Sequence, residues 1–268
     1  MSARTWIGLR IDLPEPFEPF LLGPLSRWLR CQRAERRLAR WFFLRHSEDG
    51  LHLRLRLRGF NGADTPFLTS SAHALALAPG SEIRVSAYPY DRTALAFGET
   101  LESVMAELLH QATSELALRL LASVPNEHWN IVGPSAAFLL AEQSVLRTEL
   151  VQVVLSWREF AARTAHTWSA SPRSFSAEEI QRCVRNFERL LPRLRTSLLV
   201  DSRARRAVGL LRRLRQRGAR GKFVAMHGLH LLCNEMGLSI QGESAATQAL
   251  SELVAASSTP RTAKEGIA

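Results

Sequence analysis

Two periodicities divide the chain. From Trp6 to Leu13 apolar residues alternate with others, as they do along a half-buried strand, and Pro14, Pro16 and Pro19 close the run. Helical spacing follows. Phe20, Leu21, Leu25, Trp28 and Leu29 fall on one face, which predicts a helix over Glu18–Leu38 with a basic tail of Arg30, Arg33, Arg36, Arg37 and Arg40. Strands are predicted at Trp41–His46 and Leu51–Gly59, joined by Ser47-Glu48-Asp49-Gly50, whose Asp-Gly pair is a strong hairpin signal. The second of these alternates strictly: Leu51, Leu53, Leu55 and Leu57 face one side, and His52, Arg54, Arg56 and Arg58 face the other. A short helical segment around Pro66–Leu77 and a strand at Glu82–Tyr90 complete this part.

From Thr100 the period is helical throughout. Leu101, Val104, Met105, Leu108 and Leu109 begin an apolar stripe that continues through Leu116 to Leu121. Long helices are predicted at Pro134–Trp157 and Ser176–Leu199, and shorter ones at Arg203–Gln216, Phe223–Gly237 and Glu243–Ala255. Asn126–Gly133 and His166–Ser174 read as loops. Strands followed by helices argue an α+β fold, an antiparallel or mixed N-terminal sheet with a hairpin leading into a mainly helical C-terminal half. We expect a single domain over residues 1–256, strand-rich over 1–98 and helical over 99–256, with a frayed polar tail at 257–268.

Composition narrows the partners. The chain has 268 residues and a formal net charge of +10, and its only lysines are Lys222 and Lys264. A coding bias toward arginine is one explanation of this; the resulting field attracts anions in either case, and the guanidinium fork suits carboxylates. Nucleic acid ranks last among anionic partners, because no aromatics that would stack bases are interleaved with the arginines of the strand or of the 203–217 region. No apolar run reaches the roughly 18 residues of a membrane span. Met1–Thr5 leads into a mixed strand instead of an apolar signal segment. Cys31, Cys183 and Cys233 are odd in number and widely spaced, which suits a reducing cytoplasm and predicts neither disulfides nor a metal site.

A strand face of one histidine and three arginines is unusual, since stacked cations about 7 Å apart repel unless water or an anion lies between them. The residues around it carry a resemblance. Trp41-Phe42-Phe43-Leu44-Arg45-His46, the acidic turn, and His52-Leu53-Arg54-Leu55-Arg56 together resemble the signature of the elimination domain of lantibiotic dehydratases, a family that also includes thiopeptide biosynthesis proteins. Trp6–Leu13 resembles that family's opening strand. Tyr90-Asp91-Arg92-Thr93-Ala94-Leu95-Ala96-Phe97-Gly98-Glu99 is similar to its Tyr-x-Arg-Glu-x-x-Arg-Tyr-Gly-Gly segment, and leads into a helix that includes Ser114. His230-Leu231-Leu232-Cys233-Asn234-Glu235-Met236-Gly237 is similar to its His-Met-x-x-Asn-Arg-Leu-Gly helix.

The resemblance implies a peptide-modifying enzyme. Family elimination enzymes remove glutamate from glutamylated serine or threonine, using two strand arginines, a Glu and an Arg of the middle segment, and the late histidine. Arg54, Arg56 and His230 match; Thr93, Ala96 and Glu235 do not. That pattern points to the recruited activity of the family, pyridine synthesis, in which two dehydroalanines of a precursor peptide join by a formal aza-[4+2] cycloaddition with loss of water and leader peptide. The implied roles follow. Arg54 and Arg56 bind the amide oxygen of the azadiene. His230 moves protons, with His227 one turn earlier as the alternative carrier. Tyr90 or Tyr88 donates a further hydrogen bond, and His52 and Asn234 lie against the peptide. No metal or organic cofactor is called for, since the reaction is redox-neutral. The implied partners are a precursor with an acidic leader, met by Arg33, Arg36, Arg37, Arg212 and Arg213, and other enzymes of the pathway. Glutamate elimination, and a non-catalytic precursor-binding protein, are the alternatives.

Overall fold

The computed structural model describes residues 6–46, 50–76, 82–88, 100–124, 129–168 and 175–258. Turn residues 47–49, and Tyr90, Thr93 and Ala96, lie outside them. The fold is α+β, a four-stranded antiparallel sheet followed by helices. The sheet has the order β2-β3-β1-β4, with β1 Trp6–Asp12, β2 Leu38–His46, β3 His52–Gly59 and β4 Arg84–Ala87.

The alternation read from β3 holds in space. Leu53, Leu55 and Leu57 pair in register with Ile11, Leu9 and Ile7 of β1 and stand beside Arg45, Phe43 and Trp41 of β2. All six aliphatic side chains are buried, each burial contributing about 1.5–3 kcal/mol. This face packs on the first helical stretch, α1 (Glu18–Phe20), a π-helical turn at Leu21–Leu25 and α2 (Ser26–Ala34), and on α3 (Asp64–His73). The first helix is shorter than expected. Basic residues continue its spacing to Leu38, but Arg36 takes a φ of 55°, and that left-handed turn sends the chain into β2 three residues before Trp41. Ala74–Ala76 form a 3₁₀ turn, and β4 ends at Ala87.

The helical half is built round α4 (Leu101–Ser123), which the Thr100 side chain caps. From Met105 to Ala117 nearly every residue of α4 is buried, its polar ones included, so it is an interior helix with chemistry on more than one face. It packs on the outer edge of β2, on α8 (Ser202–Arg215) and on α9 (Gly218–Glu235). The predicted Pro134–Trp157 helix is two helices, α5 (Trp129–Ser144) and α6 (Arg147–Trp168), and most of the expected Asn126–Gly133 loop belongs to α5. The Ser144 hydroxyl closes α5 by donating to the Ala141 carbonyl at 2.8 Å. No glycine or proline marks that break, and the apolar period runs across it. Helix α7 (Ala177–Val200) begins in a Ser176/Glu179 capping box, and α10 (Ile240–Ser258) pairs mainly with α6. Among the described residues no helix is long and apolar enough to cross a membrane.

Candidate active site

The second face of the sheet is not an open cationic surface. His52 is fully buried and Arg56 is 5% exposed. Arg56 stands opposite Gly8 in the β1–β3 register, and the Tyr88 N–H donates to the Gly8 carbonyl at 2.8 Å. A Cβ on residue 8 would lie 2.0 Å from the Tyr88 carbonyl oxygen and 2.7 Å from Arg56 Nη1, so glycine is what lets the guanidinium cross β1 beneath Tyr88. The Tyr88 ring takes Arg54 at 4.5 Å and Arg56 at 5.2 Å from its centroid. It bridges two cations through cation–π attraction.

Histidines at the hairpin end complete this face. His52 Nδ1 lies 2.8 Å from the Gly50 carbonyl, and its Nε2 is 3.3 Å from Arg54 Nε. A carbonyl only accepts and a guanidinium only donates, so the ring carries its proton on Nδ1 and orients Arg54 through Nε2. His46 stacks on His52 at 5.6 Å. Burial first, then its electrostatic neighbours, led by the charge of Arg54, push His46 down to about 3, so it adds no cation to the face.

The helices bring further rings. Phe42, beside Arg56 in the β2–β3 register, meets His110 of α4 edge-on at 5.1 Å. His110 lies 5.5 Å from His227, and His227 lies 6.0 Å from His230, both on α9. Phe160 of α6 contacts His227 at 6.3 Å, His230 at 5.6 Å and Phe223 at 5.8 Å. A continuous run of ring contacts thus joins the arginine strand to His230. Close helix packing makes it possible: a Cβ on Gly228 would lie 2.3 Å from a methyl carbon of Leu109.

The two candidate proton carriers differ in setting. His227 is half-buried, with its Nδ1 buried and without a hydrogen-bond partner, and burial and then His230 hold it down to about 3. His230 is 17% exposed, and its Nδ1 lies 2.5 Å from Glu243 Oε2. Glu243 is itself buried, and its other oxygen accepts from Trp157 Nε1 at 2.7 Å. His110, Glu243, Trp157 and Phe160 were not singled out from the sequence. The one available hint was Glu107 with His110, two polar residues at i and i+3 beside the apolar stripe of α4.

Other predicted residues belong to the frame. The Asn234 amide pairs with the backbone of Arg45, accepting from its N–H and donating to its carbonyl, each at 2.9 Å. Arg45 Nη1 meets Glu18 at 2.7 Å and its Nε donates to the Glu235 carbonyl at 3.0 Å. The Glu235 carboxyl meets the Ser114 hydroxyl at 2.5 Å, and that hydroxyl accepts from the Phe43 N–H at 3.2 Å. Burial drives the Glu235 carboxyl well above the usual range. Arg58 and Arg40 lie 3.6 and 3.8 Å from the buried carboxylate of Glu107.

The five leader candidates sit in different local settings. Arg212 donates to the Gln143 carbonyl at the end of α5, Arg213 is exposed, and Arg37 lies over the Phe67 ring at 3.7 Å. Arg36 forms the left-handed turn, and Arg33 pairs with Glu115 at 2.9 Å. Arg33 instead shares a groove of about 420 Å³ with Arg30, Arg119, Arg203, Trp41 and Leu118. Among the described residues no group of three or more His, Cys, Asp or Glu is placed to hold a metal ion.

The depressed histidines predict a stability slope. In the unfolded chain His227 titrates near its ordinary 6.5, and in the folded protein near 3. Its neutral burial therefore supports the fold above pH 6.5, and this support is lost as pH falls below that value. Glu235, raised, acts in the opposite sense but equally in both proteins of a comparison. Between pH 6 and 4.5, chemical denaturation is expected to show the wild type losing about 1 kcal/mol per pH unit more than a His227→Gln variant. Parallel slopes would contradict a neutral buried His227.

The comparisons with known proteins agree with this architecture. The family of the lantibiotic biosynthesis dehydratase C-terminal region matches residues 6–254. Among solved structures, the tRNA-dependent lantibiotic dehydratase MibB from Microbispora sp. 107891 superposes with a TM-score of 0.64 at 18% identity, over 97% of this chain. This chain spans only 29% of the MibB chain. TsrL gives a TM-score of 0.58 at 17% identity, over 94% of this chain and 95% of its own. The pyridine synthase TbtD, from thiomuracin biosynthesis, gives 0.54 at 15% identity, over 94% of this chain and 99% of its own. At these identities the superpositions speak for the fold alone. No curated protein matches the sequence. With its family match running from the first strand of the sheet almost to the end of α10, the chain belongs to the lantibiotic biosynthesis dehydratase C-terminal family.

Proposed function

We propose that this protein is a peptide-modifying enzyme that closes a pyridine ring in a ribosomally made precursor, joining two dehydroalanines by a formal aza-[4+2] cycloaddition. The observation that carries the proposal is the arginine face, where Tyr88 bridges Arg54 and Arg56, together with the run of ring contacts from Phe42 beside it through His110 and His227 to a carboxylate-bound His230. The agreement in fold with TbtD over 99% of that chain supports it. So does the sequence: Thr93 and Ala96 stand where the elimination enzymes of the family carry a charged pair.

The chemistry balances without a redox partner. The amide between one dehydroalanine and the preceding residue tautomerises to an iminol, which with the alkene forms an azadiene. Addition across the second dehydroalanine makes two C–C bonds, one joining the two β-carbons and one joining the iminol carbon to the second α-carbon, with the amide nitrogen already inside the ring. Loss of water from the former amide carbon, and of the leader as a carboxamide, leaves the aromatic ring. Arg54 and Arg56 hold the amide oxygen and stabilise charge on it. His230 accepts and returns the protons that tautomerisation and the two losses require. Holding both ends of one peptide in register lowers the barrier by up to about 7–11 kcal/mol. Arg54 and Arg56 also match the elimination machinery of the family, which keeps glutamate elimination as the second reading.

The test is mass spectrometry of an azole-containing precursor with two dehydroalanines, incubated with the purified protein. Loss of one water, release of a leader carboxamide and new pyridine absorbance are expected. An unchanged precursor, together with glutamate loss from a glutamylated one, would replace this proposal with elimination. No change in either, with retained binding, would leave a precursor-binding protein.

A further inference from the structure

We propose that Glu243, backed by Trp157, is the positioning residue that fixes His230 with its proton on Nδ1 and leaves Nε2 as the nitrogen that works on the substrate. The inference builds on the assignment of His230 as proton carrier, but its core is geometric. Glu243 is 1% exposed, comes from a different helix than His230, and has both carboxyl oxygens engaged. Oε2 is 2.5 Å from His230 Nδ1 and Oε1 is 2.7 Å from Trp157 Nε1. An indole nitrogen can only donate, so Oε1 must accept. With Oε1 committed, the carboxylate offers Oε2 as the acceptor for Nδ1–H, and the indole prevents the carboxyl group from turning away.

Neighbours keep the imidazole from rotating to exchange its nitrogens. Phe160 lies on it at 5.6 Å and 57°, and His227 at 6.0 Å and 47°. Trp157 and Phe160 sit one turn apart on α6, so one helix supplies both the restraint on Glu243 and the wall beside His230. Glu243 comes from α10. The other titratable groups along this run of rings, His227 on the same helix and His110 on α4, are both held neutral. An imidazolium formed at His230 thus meets one anion and no buried cation among them. A buried carboxylate on the far nitrogen of an imidazole sets its tautomer and stabilises the ring once it is protonated. Losing such a partner costs general acid–base catalysis roughly the 10²-fold or more that this catalysis supplies.

The experiment uses full-length protein labelled with ¹⁵N-histidine, and reads the tautomer of each ring from nitrogen–proton correlation spectra. In the wild type, His230 is expected to show a protonated Nδ1 with a low-field proton, and an unprotonated Nε2. In Glu243→Gln the low-field resonance is lost and Nε2–H becomes populated, because the new amide donates to Nδ1. Conversion of the two-dehydroalanine precursor falls by about 10²-fold. Glu243→Asp restores much of both signals. Trp157→Phe, which frees one oxygen but keeps the carboxylate, gives an intermediate shift of the His230 resonances. The His52 ring, also protonated on Nδ1 but bonded to Gly50, reports that each variant is folded. An unchanged His230 tautomer in Glu243→Gln would overturn the proposal, as would conversion at the wild-type rate. If the wild type leaves the precursor intact while Glu243 still sets the tautomer, the reaction assignment fails and the positioning role stands.

Discussion

Arg56→Lys is expected to reduce precursor conversion by more than about 10²-fold while leaving the fold intact. Lysine keeps the charge but lacks the planar fork, so the variant separates the field of the face from its geometry. Arg56 is 5% exposed and crosses Gly8 under the Tyr88 ring, which fixes where its donors point. An ammonium at the end of a flexible chain cannot present two directed N–H groups from that channel. Arg54→Lys should cost less, because Arg54 is only half-buried and its Nε already serves His52. Single-turnover mass spectrometry measures the loss, and circular dichroism confirms folding. Conversion by Arg56→Lys within a few-fold of wild type would show that the face contributes charge alone.

The second large effect is on stability. The family motif resembled here carries arginine where this chain has Glu235. Restoring it, Glu235→Arg, is expected to destabilise the protein by about 3–5 kcal/mol. The side chain is fully buried, faces the Ser114 and Thr113 hydroxyls, and lies beside the Arg45 guanidinium, so an arginine would be desolvated next to a like charge. Glu235→Gln should be nearly neutral by comparison, since burial holds the native carboxyl toward its uncharged form. Urea denaturation of both variants checks this. An arginine variant as stable as the wild type would mean that the pocket still accepts the motif residue.

These two positions also show what the sequence could reveal. The arginine face was legible because a strand's alternation is local: His52, Arg54, Arg56 and Arg58 share a side whatever the rest of the chain does. That Arg56 is buried was not legible. Its cover is Tyr88, one residue past β4, and its channel is the absent side chain of Gly8 on β1, both distant in the chain. His230 stood out through a motif, but Glu243 and Trp157 are an ordinary glutamate and tryptophan on amphipathic helices, joined to it only by tertiary packing. Asn234 shows the converse, a motif residue whose amide pairs with the backbone of Arg45. Helix ends failed where the period crossed a break with no punctuating residue, at 145–146, and where an arginine, not the glycine usual at such a turn, took the left-handed conformation, at Arg36.

A sheet of this order has two rims, and the helices have closed one of them. Along β2 the outward N–H of Phe43 is taken by the Ser114 hydroxyl, and both outward groups of Arg45 by the Asn234 amide. Helix side chains thus stand in for the strand that would otherwise pair there. An extended peptide, or a second molecule of the same protein, cannot zip onto that side without first displacing α4 and α9. Among the described residues, strand addition at Phe43 and Arg45 of β2 is thereby blocked, and the sheet's other edge is β4, the side from which Tyr88 reaches over Arg54 and Arg56.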